Sequence, residues 1–267
     1  SSHRRRAPVS CSGRSDRTVI KLNIEGPVAR LVLDHPERHN ALTRDGLEQF
    51  KAHLQRIEDG PDVRVLVVSG TGDKTFCSGA SLDQVQAGTV DGESFQVVAD
   101  RLAALPIPKL AVMNGSAYGG GVELGLCCDF RLGVEGMKIR VPAASFGLCY
   151  PPAGIRRYVN RLGAEAAKRI LVAAETFDAT ELLQMGYLHR VCSPAELPVL
   201  AEQWAQGLSR LAPLAVRAML AICDGTVDGT LTAEQARQWV ERCNRSNDLK
   251  EGLQAALEKR TPEFSGD

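Results

Sequence analysis

Neither an excess of one charge, nor an apolar run long enough for a bilayer, nor a metal-binding cysteine spacing is found in this sequence of 267 residues. Thirty-two basic and thirty-two acidic residues cancel, so no overall field draws the molecule toward nucleic acid or an anionic membrane, and neither is expected as a partner. No uncharged apolar stretch reaches the roughly 18 residues of a membrane helix, which makes a soluble protein the expectation. The eight cysteines include the adjacent Cys127 and Cys128 but no C-x-x-C pair of the kind that builds zinc sites. They read as reduced thiols in a chain long enough to stabilise itself by apolar burial. A reducing compartment follows: the cytoplasm for a bacterial source, or the mitochondrial matrix for a eukaryotic one.

Several catalytic signatures are missing too. Gly70 to Thr75 lacks the G-x-x-x-x-G-K-[ST] spacing of a phosphate loop and reads as a turn. Gly119 to Gly121 does not open a dinucleotide fingerprint, because Leu124 stands where its third glycine belongs. No G-x-S-x-G elbow is present. His35 and His39 are four apart, yet Pro36 between them argues for a loop, so no metal is expected. His189 reads as a structural hydrogen-bond donor.

What is present is the material of a full core: hydrophobic residues make up 44% of the chain and charged residues 24%. Residues 1–17 carry five arginines and five serines before any hydrophobic pattern, and read as a disordered, targeting or added extension. They have no apolar signal core, so secretion is not expected. Two β-rich stretches, Val19 to Ile24 and Ala29 to Leu33, flank Gly26-Pro27 as a hairpin. Leu47, Phe50, Leu54 and Ile57 share one helical face. Val63 to Ser69 reads as a strand covered on both faces, followed by a polar loop over Ser81 to Gly92 and a helix near Ser94 to Leu105. Lys109 to Met113 reads as a buried strand, and Gly119 to Gly121 open a helix carrying Glu123. This alternation predicts an α/β body over 18–195. Beyond about Gly163 the pattern reads as purely helical, with capping boxes at Asp178/Glu181, Ser193/Glu196 and Thr232/Gln235 and with Pro194 in a first turn. Residues 196–267 are expected to form a helical C-terminal appendage, striped by Leu197, Leu200, Trp204 and Leu208, that packs on neighbouring subunits.

Three separated stretches carry chemistry: Asp34 to Leu42, Phe76 to Leu82, and Asn114 to Leu124. In that order they resemble the enoyl-CoA hydratase/isomerase (crotonase) family, whose patterns are N-R-P-x-x-x-N-A-L, F-C-A-G-A-D-L and N-G-x-A-x-G-G-G-x-E-L. The tail from Leu257 to Phe264 also looks like the family's terminus. The resemblance covers about Val19 to Gly266. It implies a crotonase-like spiral of β-β-α turns with a helical trimerisation region, assembled as a homotrimer or hexamer. It implies an acyl-CoA thioester as partner, with coenzyme A entering as part of the substrate and no prosthetic group.

By this similarity the amides of Ala80 and Gly120 hold the thioester oxygen, with Glu123 beside them as acid and base. The physics agrees: a thioester yields its α-proton only when the enolate oxygen meets preorganised donors, and amides beside glycine or at a helix start provide them. Glu123 follows Gly120 by about one helical turn, and an apolar pocket would raise its pKa toward neutrality. The resemblance places Arg38 and His39 against coenzyme phosphates or pantetheine, and Ala80, Ser81 and Leu82 along the adenine. Lys259 and Phe264 join from the tail, across a subunit boundary in the family's manner.

The pattern also breaks. Typical hydratases carry a second glutamate about twenty residues after the first, where this chain has Ala143; alanine neither orients water nor exchanges a proton. Cys149 and Tyr150, in a stretch that departs from the family's glycine-rich form, are candidates to line a reshaped acyl pocket, and both also read as packing residues. Ser81 replaces the usual aspartate. The expected activity is therefore isomerase or atypical hydratase chemistry on one glutamate. Acyl-CoA decarboxylation or hydrolysis is a second expectation, and acyl-CoA binding without turnover a third.

Overall fold

A computed structural model describes residues 18–60 and 62–267, with the side chain of Leu82 left undescribed. The expected extension over 1–17 lies outside the described residues. The described residues open with the predicted hairpin, β1 (Ile20–Glu25) and β2 (Val28–Leu33), paired antiparallel around Gly26. Helix α1 (Arg44–Glu58) follows, capped by the Thr43 side chain and burying Leu47, Phe50, Leu54 and Ile57 as their spacing requires. Then come β3 (Val65–Gly70), β4 (Thr75–Cys77), α2 (Leu82–Gln86), α3 (Gly92–Ala104), β5 (Lys109–Met113), β6 (Ser116–Tyr118) and α4 (Gly120–Cys127). The next turn of chain adds β7 (Phe130–Val134), β8 (Lys138–Arg140), α5 (Pro152–Leu171), β9 (Phe177–Asp178), α6 (Ala179–Gln184) and β10 (Arg190–Cys192). Four helices finish it: α7 (Leu197–Ser209), α8 (Pro213–Asp228), α9 (Ala233–Asn244) and α10 (Asn247–Glu258).

Two sheets organise these elements. The larger runs β1-β2-β3-β5-β7-β10, parallel from β2 onward, and its central strands are buried on both faces as their apolar sequences demand. The smaller runs β4-β6-β8-β9, with β4, β6 and β8 parallel. Successive turns of chain send a strand to the large sheet, a strand to the small sheet and then helix, which is the expected β-β-α spiral. The α/β body therefore stands as read from sequence.

The structure corrects several details. The segment over Ser81 to Gly92 is not all loop, since α2 occupies part of it. The region after Gly163 is not purely helical: β9 joins the small sheet and β10 completes the large one. Helix α7 starts at Leu197, with Pro198 rather than Pro194 in its first turn. Glu196 still reaches back to the Ser193 amide at 3.0 Å, but across a turn that precedes the helix. The boxes at Asp178 and Thr232 are complete. Nor is α7 an appendage. It packs on β2, β3, β5 and β7, burying Leu197, Ala201 and Ala205 and setting Trp204 edge-on to Phe130 with centroids 5.4 Å apart.

Candidate active site

The parallel pairing of β4, β6 and β8 brings their carboxyl ends side by side, the side of a parallel sheet where ligands bind. Ala80 lies three residues past Cys77, Gly120 two past Tyr118, and Ala143 three past Arg140. Stretches distant in sequence thus converge because their strands are neighbours.

The fit between the first two turns depends on Gly79. Its φ is +80°, and a Cβ there would lie 2.8 Å from both the Gly120 nitrogen and the Tyr118 carbonyl oxygen. The Asp34 to Leu42 loop is stitched to the same place. Leu42 donates to Gly79 O at 2.8 Å and accepts from Ser81 N at 3.0 Å, so the amide of Ala80, between these two contacts, faces the other way. Gly120 is the first residue of α4, where an amide has no acceptor within its helix. Among the described residues neither amide donates to a protein acceptor, and both residues are partly exposed. Asn40, only 2% exposed, locks the loop by donating to Thr71 O at 3.0 Å and Thr75 O at 2.8 Å and accepting from the His35 amide at 2.9 Å.

Glu123 also follows this turn, but it is sealed. The residue is 0% exposed, and its carboxylate is filled by donors. Gln96 Nε2 lies 3.0 Å from each oxygen, the Tyr150 hydroxyl donates to Oε2 at 2.7 Å, and Arg157 Nη1 donates to Oε1. Arg157 Nη2 is held in turn by Asp100 on α3. Burial pushes the Glu123 carboxyl above its ordinary value, and Tyr150, Arg157 and Gln96 pull it back part of the way. Sequence reasoning placed a lone carboxylate beside an apolar acyl pocket and missed Gln96 and Arg157. They come from α3 and α5, and no local pattern links them to Glu123.

The coenzyme candidates divide. Arg38 is exposed and reaches Asp83 at 3.2 Å, while exposed His39 sets Nδ1 3.1 Å from Thr75 Oγ1. Ser81 is buried, its hydroxyl bonded to Asp83, and Ala80 lies beside it. The Ser81 hydroxyl, with Arg38, holds the Asp83 carboxyl below its usual range. Leu82's side chain falls outside the described set. Among the described residues, by contrast, no hydrogen bond joins Lys259 or Phe264 to this cluster. The Phe264 carbonyl accepts from Arg64 at 2.7 Å, at the opposite end of β3 from the Asn40 loop, and Lys259 is an exposed, left-handed cap on α10. Ala143 is buried at 7% exposure and Cys149 is exposed. Tyr150, expected to line an acyl pocket, turns its hydroxyl onto Glu123 and keeps part of its surface exposed.

His189 corrects one expectation. Its Nδ1 accepts from the Arg131 backbone amide at 3.1 Å, so the ring acts there as an acceptor and not a donor. Burial, with Arg131, Arg161 and Arg190 nearby, pushes its pKa down to about 4.

The sequence profile of enoyl-CoA hydratase/isomerase matches residues 23–267. The chain belongs to the enoyl-CoA hydratase/isomerase family. Its relatives include YngF of Bacillus subtilis, 33% identical over 90% of this chain and 95% of that one. A crotonyl-CoA hydratase of Syntrophomonas wolfei is 31% identical over 92% of this chain and 97% of the other. Among solved structures, an enoyl-CoA hydratase/carnithine racemase from Magnetospirillum magneticum superposes with a TM-score of 0.87 at 27% identity. That match covers 94% of this chain and 97% of the neighbour. The fold derived above is thus the crotonase fold.

Proposed function

We propose that this enoyl-CoA hydratase/isomerase family member draws a proton from the α-carbon of an acyl- or enoyl-CoA and returns it elsewhere, as in double-bond isomerisation or an atypical hydration. The amides of Ala80 and Gly120 would receive the enolate oxygen, and Glu123 would be the one acid/base carboxylate. The observation that carries this reading is the pair of amides without acceptors among the described residues, set on adjoining turns that only a glycine at 79 allows to touch. One donor of this kind is typically worth ~10²–10³ in rate, so the pair is a large part of what enolisation needs. Coenzyme A would enter as part of the substrate, with Arg38, His39 and the Ala80 to Leu82 turn along it, in a homotrimer or hexamer whose tails supply Lys259 and Phe264.

A second reading, acyl-CoA binding without turnover, is favoured by one observation: Glu123 has no exposed surface and a full set of donors. Exchange of the α-protons of butyryl-CoA in D2O, followed by NMR, separates the two. Enolisation predicts exchange in the wild type and a loss of ~10²–10⁴ in Glu123→Gln. Tight binding of CoA esters with no exchange, and with crotonyl-CoA and 3-enoyl-CoA left unchanged, would establish the binder instead.

A further inference from the structure

We infer that the Tyr150 hydroxyl is the relay through which Glu123 exchanges protons with the acyl group, an assignment that rests on the enolising function above. Glu123 offers no free face to a substrate. Oε1 accepts from Gln96 at 3.0 Å and from Arg157, and Oε2 accepts from Gln96 at 3.0 Å and from Tyr150 at 2.7 Å. A proton bound for this carboxylate must therefore pass through one of three partners. An amide NH2 only donates, and a guanidinium does not deprotonate in a protein. A phenol alone accepts a proton on the same oxygen that gives one up.

Position favours Tyr150 as well. Gln96 and Arg157 sit on α3 and α5, and Arg157 is pinned from its other side by Asp100. Tyr150 lies in the irregular segment between Ala143 and α5, after the left-handed Gly147 and among the exposed Phe146, Leu148 and Cys149. It keeps part of its own surface exposed, which Glu123 does not. The segment folds back on the turn of Ala143 through a Leu148 amide to Ala143 carbonyl bond of 2.9 Å, so the phenol comes from the neighbouring turn of the same strand-end cluster. Gly154 keeps α5 close: a Cβ there would lie 2.6 Å from the Tyr150 ring and 2.9 Å from Glu123 Oε2. Tyr158 braces the ring edge-on at 5.8 Å between centroids.

The step balances. As the α-carbon–hydrogen bond breaks, its proton goes to the Tyr150 oxygen, the phenolic proton passes to Glu123 Oε2, and the bonding pair becomes the enolate held by the two amides. Reversal at another carbon completes an isomerisation. Tyr150 stays neutral throughout, as a phenol must when burial, with Tyr158 and Glu123 beside it, raises its pKa well above 10.

The test compares α-proton exchange of butyryl-CoA in D2O for the wild type, Glu123→Gln and Tyr150→Phe, together with butyryl-CoA affinity. The relay requires Tyr150→Phe to lose exchange by ~10²–10⁴, as Glu123→Gln does, while affinity stays within a few-fold of wild type. Exchange retained in Tyr150→Phe but lost in Glu123→Gln would overturn the relay and leave the enolising function standing. No exchange in the wild type would remove both. Should Tyr150→Phe fail to fold, difluorotyrosine at position 150 keeps shape and hydroxyl but makes the phenol more acidic. Because the phenol never ionises, the relay then requires the pH-independent plateau rate of exchange to change, and an unchanged plateau rate overturns it.

Discussion

At the scale of single residues, the candidate pair of amides is bounded by what a methyl group would strike. A Cβ at Gly121 would lie 2.1 Å from the Cys77 carbonyl oxygen, backbone against backbone, with no flexible side chain to give way. A Cβ at Gly120 meets only the edge of the Phe95 ring at 3.2 Å. Gly121→Ala is therefore expected to lower the melting temperature sharply, and Gly120→Ala far less, as differential scanning would show. Gly79→Ala combines a left-handed φ with 2.8 Å contacts at Gly120 N and Tyr118 O. It is expected to push the two amides apart and cost ~10² or more in α-proton exchange.

Arg157 bears on the same carboxylate through charge. Burial raises the Glu123 carboxyl above 4.5 while Tyr150, Arg157 and Gln96 lower it, so removing Arg157 moves it further up. Arg157→Met should shift the alkaline-rising limb of the exchange rate to higher pH and, by leaving a buried carboxylate without its cation, destabilise the fold by about 3–5 kcal/mol near neutrality. The sign of the linkage is fixed. A carboxyl raised in the folded state contributes its full stability below 4.5 and loses it as pH rises through the folded value, so the variant's deficit is expected to shrink in acid. Urea melts of both proteins at several pH values would read this.

At the scale of elements, what was legible in the sequence had either length or a local cap. Helix α1 declared its buried face over four turns, and α6 and α9 declared their starts by side chains that close complete boxes. The three-residue strands β4, β6 and β8 are too short for alternation to register, yet they set the carboxyl ends from which the candidate site rises. The motif residues Ala80, Gly120 and Glu123 were visible because each lies in a contiguous pattern. Gln96 and Arg157 were not, because they reach Glu123 from 27 and 34 residues away.

The junction of β7 and β10 was likewise hidden, and it carries a pH dependence. His189 accepts from the Arg131 amide through Nδ1 and donates its own amide to the Arg131 carbonyl at 2.9 Å, so the joint needs a neutral ring. Its pKa falls from 6.5 to about 4, so its contribution is intact above 6.5 and lost as pH falls toward 4. The denaturation midpoint of the wild type should drop over that window. In His189→Asn, which keeps an acceptor without the titration, the drop should be smaller.

At the scale of the whole molecule, the Arg38 loop and the Phe264 tail, both proposed to hold coenzyme A, are fastened at opposite ends of β3. Arg38 and His39 belong to a loop fastened by Asn40 to Thr71 and Thr75, just past the carboxyl end of β3. Phe264 is fastened to Arg64, just before β3 begins, and Ser265 and Gly266 donate to Asp248 at the start of α10. A six-residue strand spans roughly 20 Å, so Phe264 does not meet its own chain's Arg38 loop. If one coenzyme touches both, the second end belongs to another copy, and closed rotational symmetry makes every copy both giver and receiver. This predicts complementation. Arg38→Ala and Lys259→Ala are each expected to weaken butyryl-CoA binding about tenfold alone, the loss of one charge-assisted phosphate contact. Co-expressed, the two variants should form mixed oligomers in which some sites draw Arg38 from one chain and Lys259 from the next, and calorimetry should recover a fraction of sites with wild-type affinity. Were both residues to serve a site within one chain, every site in the mixture would carry one defect and no tight fraction would return.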